Sequence, residues 1–190
     1  MKLYDKPADR VKVGKRTIRL DLDFRNVLRM IEIIQDDTLY PDAMEWLAMK
    51  CVCKHPVKGM FEPVYKMLFP KVEKHEKLTD FEQDAELIVA AFRQAYGINL
   101  FKDKLHWTEF CCLLGCIPDG SRYTDIIGIR ARPMPKATNY NGEERAWLLK
   151  AKTEYALKTT EKEDEEAYRQ GVRMLSSFLL SLAGEGENNG

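Results

Sequence analysis

Residues 79–97, TDFEQDAELIVAAFRQAYG, carry the pattern that decides the fold class of this chain. Thr79 and Glu82 match a capping box, in which the two side chains bind the free amides at the start of a helix. Gly97 stands where the left-handed residue that ends many helices belongs. The segment therefore predicts an amphipathic α-helix. Its buried face is expected to consist of Phe81, Ala85, Ile88, Ala91, Phe92 and Ala95.

The same helical spacing recurs on both sides of this segment. Upstream it predicts three helices, which begin behind Asp23 as the N-cap, at Pro41 and at Gly59. Downstream it predicts four more, over residues 105–116, from Ser121 or Thr124, over residues 143–157, and from Thr160 or Glu161 to Leu182. Residues 132–142 hold two prolines, two asparagines and a glycine, and they predict a long loop. The chain is thus expected to be all-α, with one domain of about seven or eight helices.

Two of these helices have an expected buried face that the structure can check directly. For the helix from Pro41 we expect it to consist of Met44, Leu47, Ala48 and Cys51. For the helix over residues 143–157 we expect Trp147, Leu148, Ala151 and Tyr155. The three tryptophans, Trp46, Trp107 and Trp147, are each interpreted as core residues rather than contact residues.

The two ends of the chain differ from its helical middle. The first twenty residues hold seven Lys or Arg against two Asp. Apolar residues alternate with polar ones around Gly14, which predicts a short β-hairpin or an extended arm. Residues 184–190, GEGENNG, are polar and glycine-rich, as in disordered tails. The predicted organisation is a basic arm or hairpin at 1–20, a helical domain at 21–183 and a disordered tail at 184–190.

Composition excludes several classes of protein. Among 190 residues, 45% are apolar, and 30 Lys or Arg balance 30 Asp or Glu. Nucleic-acid binders usually carry a basic surplus, so we expect no nucleic-acid partner, although a local patch can hide inside a neutral total. The apolar stretches are too short to cross a bilayer, and the first residues lack a secretory pattern. An odd cysteine count of five in helical segments favours a reducing cytoplasm.

Cysteine and histidine are the side chains of this sequence best suited to bind a metal ion or to act in catalysis. Cys51, Cys53 and His55 form one group, and Cys111, Cys112, Cys116 and His106 form another. Zinc sites usually place cysteines on turns at C-x₂-C spacing, whereas these cysteines fall within predicted helices, where core packing is the favoured interpretation. Phosphate-binding and hydrolase motifs are missing from the sequence. We therefore expect no metal, no cofactor, no catalytic residue and no enzymatic activity.

Three residues are candidates for contact with a protein partner. Arg130 and Arg132 stand two apart beside apolar residues, ahead of the proline-bearing loop, and either a protein or a phosphate group would suit them. The competing interpretation is a solvated helix end, where cations are common, and it is the favoured one. Trp107 precedes its helix's apolar stripe by one position, so its ring is expected near the edge of the surface.

Several stretches together resemble one protein family. They are DLDFRNVL at 21–28, DFEQDAELI at 80–88, AFRQAYGI at 91–98, LHW at 105–107, II at 126–127 and YAL at 155–157. In this order they are similar to the bacteriophage "gene product fifteen" family, over about residues 18 to 158. The acidic stretch from Glu161 to Glu166 and the helix after it lie outside the resemblance.

The resemblance implies a protein of a long-tailed phage or prophage, a siphovirus, located in the cytoplasm of the bacterial host. It also implies a function in tail assembly, as a chaperone that coats the tape-measure protein until tail-tube subunits polymerise around it. The expected partner is the tape-measure protein, with the tail-tube protein as a further candidate and self-association left open. The alternative is a structural tail or connector component that stays in the virion.

Overall fold

The computed structural model describes residues 6–70, 77–138 and 140–158. The chain divides after Tyr155 into two units, and all its described helices and strands belong to the first. They are β1 (Arg10–Val13), β2 (Arg16–Arg19), α1 (Phe24–Gln35), α2 (Pro41–Val52), α3 (Phe61–Leu68), α4 (Ala85–Tyr96), α5 (Trp107–Gly115), α6 (Arg122–Ala131) and α7 (Gly142–Glu154). The mostly helical class is confirmed. The helix expected from Thr160 or Glu161 and the tail at 184–190 lie outside the described residues.

The N-terminal segment is a hairpin rather than an extended arm. Its strands are antiparallel, with Val11 opposite Ile18, and Gly14 makes the turn with a φ of 59°. Such a positive φ suits glycine because it has no Cβ. Val11 and Leu20 are buried in the core, and the amide of Leu20 donates to the carbonyl of Asp9 at 2.7 Å. The hairpin is therefore fixed to the helical body by its apolar side chains.

The starts of α1 and α5 are held side by side. The amide of Phe24 donates to the carbonyl of Leu105 at 3.0 Å, and the amide of Trp107 donates to the carbonyl of Leu22 at 2.8 Å. Asp23 caps α1, as predicted, by accepting from the amide of Arg25. His106 caps α5 in the same way, with Nδ1 accepting from the amide of Thr108 at 3.1 Å.

The core is centred on a stack of aromatic rings. Phe110 of α5 stacks on Phe24 of α1, with ring centroids 4.6 Å apart, and on Phe92 of α4, at 5.2 Å. Phe92 and Phe110 are among the largest fully buried side chains. Stacked aromatic pairs contribute beyond their burial, so this stack joins three helices that are distant in sequence.

The start of α4 differs from the prediction, whereas its end agrees with it. The residues at 81–84 form turns, and Asp80 rather than Thr79 binds the free amides there, accepting from Glu82 and Gln83 at 3.0 and 2.9 Å. The bond from the Gln83 amide lowers the pKa of Asp80. Thr79 instead pairs with the hydroxyl of Tyr123, and the prediction missed this bond because Tyr123 lies 44 residues away in the sequence. Gly97 ends α4 with a φ of 70°, as predicted.

The buried faces of α2 and α7 were predicted only in part. Ala48 on α2 and Leu148 on α7 are buried, but Leu47 is 41% exposed and Trp147 is 54% exposed. Trp46, expected in the core, is 48% exposed. Apolar residues cover much of the circumference of α2, so spacing alone does not show which side packs on α1. The packed side of α2 consists of Ala48, Met49 and Val52.

Two glycine substitutions test the helix assignments in opposite directions. Gly97→Ala is expected to lower the free energy of unfolding by about 1 kcal/mol, because a left-handed conformation strains any residue that has a Cβ. Gly128→Ala, in the exposed interior of α6, is expected to raise it by about 1 kcal/mol, since alanine favours helix. A Cβ at either site meets no heavy atom within 4 Å, so a steric clash does not contribute to the effect of either substitution. Urea unfolding measures the free energy of unfolding of both variants. Equal effects would contradict the left-handed conformation of Gly97 at the end of α4.

Candidate functional site

Arg130 lies inside the protein and not at its surface. Its guanidinium forms a two-bond ion pair with Asp84, at 2.7 and 2.8 Å, and the side chains are 8% and 2% exposed. The same guanidinium donates to the carbonyls of Leu78 at 2.9 Å and Tyr155 at 2.7 Å. The expectation of a cation presented at a helix end is corrected, because Arg130 instead joins α4, α6 and the end of α7.

Tyr123 lies close enough to this ion pair for both of its charges to act on the tyrosine hydroxyl. Its hydroxyl lies 3.0 Å from the hydroxyl of Thr79. Burial raises the pKa of Tyr123, and the bond with Thr79 acts against that rise. The low exposure of the Asp84 and Arg130 side chains themselves leaves the ion pair poorly hydrated, which strengthens the attraction between them.

The other two predicted contact residues lie in contrasting places. Arg132 is 51% exposed and pairs with Glu144 across 2.6 Å, so it lies at the surface as predicted. Trp107 is 7% exposed and stacks on Phe110 at 5.8 Å between ring centroids. The interpretation of Trp107 as a core residue is confirmed, whereas the expectation that its ring lies near the edge of the surface is wrong, because the start of α5 turns this ring into the aromatic core. The structure therefore does not bring the three residues together into one site.

A strongly apolar opening lies between α1, α4 and the loop that joins α4 to α5. This α1–α4 groove has a volume of about 330 Å³. Its floor includes the stacked rings of Phe24 and Phe110. Its sides are formed by Leu28 from α1, by Phe81, Ala85, Ile88 and Val89 at or before α4, and by Arg25, Leu100 and Phe101.

Phe101 stands at the rim of this groove with 77% of its surface exposed. The turn that carries it is closed by Asn99, whose side chain accepts from the Phe101 amide at 3.1 Å. Asp103 accepts from the Asn99 amide at 2.7 Å. Arg25 holds the turn to α1 by donating to the carbonyls of Leu100 and Asp103, at 3.0 and 2.6 Å. An aromatic ring on a fixed turn beside an apolar groove is preorganised for binding.

Sequence reasoning missed this groove and its rim. A signal was present, since Phe101 is an aromatic residue followed by the charged residues Lys102, Asp103 and Lys104. Apolar side chains in such a polar stretch are either anchored inward or presented outward, and the pattern does not decide between them. Only the folded turn shows that Phe101 is presented outward.

The thiols are placed differently from the prediction. Cys53 is buried as expected, but Cys111, Cys112 and Cys116 belong to exposed residues, because the buried side of α5 is formed by Trp107 and Phe110. The thiol of Cys111 is partly shielded by its surroundings, and this burial raises its pKa to about 11. A raised pKa keeps it protonated at neutral pH and disfavours a nucleophilic function. Among the residues that the structure describes, no three His, Cys, Asp or Glu side chains are grouped to hold a metal ion.

A comparison with known protein families identifies the family to which this chain belongs. The model of the Bacteriophage Gp15 protein family matches residues 5–157. The chain belongs to this family. The match includes the hairpin, all seven described helices, the α1–α4 groove and the Asp84–Arg130 ion pair.

Family membership confirms the resemblance found in the sequence and suggests a protein of phage structure or morphogenesis. The searches of curated proteins and of solved structures gave no match. Within the described ranges, no helix is both long and apolar enough to span a membrane.

The two arginines of the predicted pair should differ sharply in their effect on stability. Arg130→Ala is expected to cost about 3–5 kcal/mol of unfolding free energy, because it leaves the buried Asp84 carboxylate without its partner. Arg132→Ala, which removes an exposed pair, is expected to change it by less than about 0.5 kcal/mol. Chemical denaturation measures both variants. A double variant Asp84→Ala/Arg130→Ala should cost less than the sum of the single changes, and additive costs would contradict a coupled pair.

Proposed function

We propose that this protein is a tail assembly chaperone of a long-tailed phage and that it holds the tape-measure protein in the α1–α4 groove. The observation that supports the groove most is Phe101, a mostly exposed ring held on a fixed turn beside apolar walls. Membership of the phage family supports the wider setting of virion morphogenesis.

The groove suits the client that the family resemblance implies. A long, helical and apolar client presents side chains at intervals of three and four residues, which fit grooves between helices. A volume of about 330 Å³ is at the lower end of the range for small-molecule pockets, about 300–1,000 Å³, so it suits a few large side chains. Binding by a few side chains at a time allows the client to be released when tail-tube subunits arrive.

Arg132 is the second candidate contact. It is the exposed member of the arginine pair and its partner Glu144 is equally accessible. Exposed ion pairs contribute little to stability, so both side chains are free to exchange partners with a client. We assign Arg132 a supporting contribution, because rim charges affect the rate and specificity of association more than its strength.

Phe101→Ala is expected to weaken binding of a tape-measure fragment by about 2 kcal/mol, roughly thirtyfold, since truncated aromatic anchors commonly cost this much. Its melting temperature should stay close to that of the unmodified protein, because the ring is mostly exposed. The measurement is a titration of purified protein with the fragment encoded by the same phage. Tyr140→Ala, which removes a ring that is 99% exposed, is the matched control. Equal binding by both variants would place the client elsewhere.

A chaperone and a retained tail component differ in where the protein is found after assembly. Mass spectrometry of purified virions is expected to lack this chain, while lysates sampled during assembly contain it bound to the tape-measure protein. Stoichiometric presence in tails would instead favour the structural component. The tail-tube protein should be detected in both samples and serves as the recovery control.

A further inference from the structure

A second cavity opens between the first half of α2 and the segment leading into α3. This α2–α3 cavity has a volume of about 310 Å³. Its apolar part includes Trp46, Met49 and Met60, and its polar part includes Asp42, Glu45 and Lys58. Trp46 is 48% exposed, so its ring is accessible beside the two carboxylates.

The chemistry of this cavity favours a cation. Tryptophan is the aromatic residue that attracts cations best, and the two carboxylates of the lining, Asp42 and Glu45, can accept from a cation. The Trp46 ring already attracts one ammonium, since Nζ of Lys50 lies 5.3 Å from its centroid. Phosphate groups are repelled by such a lining, which argues against a nucleic acid as the occupant. A lysine or arginine side chain of a protein fits.

The densest group of exposed cations among the described residues is on the hairpin. Residues 6–20 hold six Lys or Arg and one Asp. That carboxylate, Asp9, is shared between Arg10 and Arg19, at 3.7 and 3.1 Å. Lys15 and Arg16, at the turn, are exposed, and the structure shows no ion pair for either within the described part of the chain.

We propose that the α2–α3 cavity receives the hairpin turn of a second copy of this chain, with Lys15 and Arg16 placed against Trp46, Asp42 and Glu45. Complementary charge favours this occupant, because the hairpin turn carries two exposed cations and the cavity lining holds two carboxylates beside an aromatic ring. Each copy carries both halves of the contact. Association therefore closes as a reciprocal pair or continues as a ring or chain.

The test is sedimentation velocity of the full chain over a range of concentrations at low and high salt. The unmodified protein is expected to associate, and less so at high salt, because salt screens exposed charges. Lys15→Ala/Arg16→Ala and Trp46→Ala/Glu45→Ala should each weaken association at least tenfold. An equimolar mixture of these two variants should regain association limited to dimers, since each supplies the half that the other lacks.

Two matched controls remove the same kinds of side chain from elsewhere. Lys102→Ala/Lys104→Ala removes two exposed lysines, and Trp147→Ala removes a tryptophan with similar exposure, 54%. Neither should weaken association. If Trp46→Ala/Glu45→Ala melts at a lower temperature than the unmodified protein, Asp42→Asn/Glu45→Gln replaces it, because amides keep the shape of the carboxylates.

Three results would overturn the proposal. They are a monomer at every concentration and salt, an equal loss of association in the control variants, and a mixture of the two contact variants that stays monomeric. Binding of the tape-measure fragment to Phe101→Ala and to the hairpin variant separates the two proposals. A failure of self-association leaves the groove unaffected, and a failure of the groove leaves self-association unaffected.

Discussion

The stack of Phe24, Phe110 and Phe92 is the interaction on which the rest of the fold depends. It joins α1, α4 and α5, which come from separate parts of the sequence, and its rings are nearly parallel in both pairs, at 8° and 16°. Two rings of this stack, Phe24 and Phe110, also line the α1–α4 groove. The site proposed for the client is therefore an extension of the core to the surface.

The Asp84–Arg130 ion pair adds a second constraint of a different kind. Aromatic packing tolerates some sliding of one helix on another, whereas a guanidinium with fixed carbonyl and carboxylate partners requires one arrangement. Two charges are buried here at a cost in desolvation that only complete bonding offsets. The ion pair thereby fixes the position of α6 and of the end of α7. It also fixes the position of the exposed Arg132 that follows α6.

The sequence predicted what depends on local interactions and missed what depends on distant ones. The cap at Asp23, the proline at the start of α2 and the left-handed Gly97 are set by neighbouring residues, and the structure has all three. The burial of Arg130 depends on a carboxylate 46 residues away, so spacing alone does not reveal it. The inward turn of Trp107 and the outward position of Phe101 likewise follow from contacts between α1 and the loop before α5. The candidate site was thus only partly predictable, with Arg132 alone placed correctly at the surface.

Two of the exposed aromatic rings stand beside cavities of different character. Phe101 borders an apolar groove, and Trp46 borders an acidic recess. The two sites share no lining residue, so client binding and self-association can occur together.

A single shallow groove holds a long client weakly. Several grooves presented by associated copies would hold it much more tightly, because each further contact is made at a high effective concentration. In the proposed chaperone function such binding would also be easily reversed, since tail-tube subunits would displace one weak contact at a time. The two proposals together would therefore meet both requirements of a chaperone for a long chain, which are to cover the client fully and to release it in order.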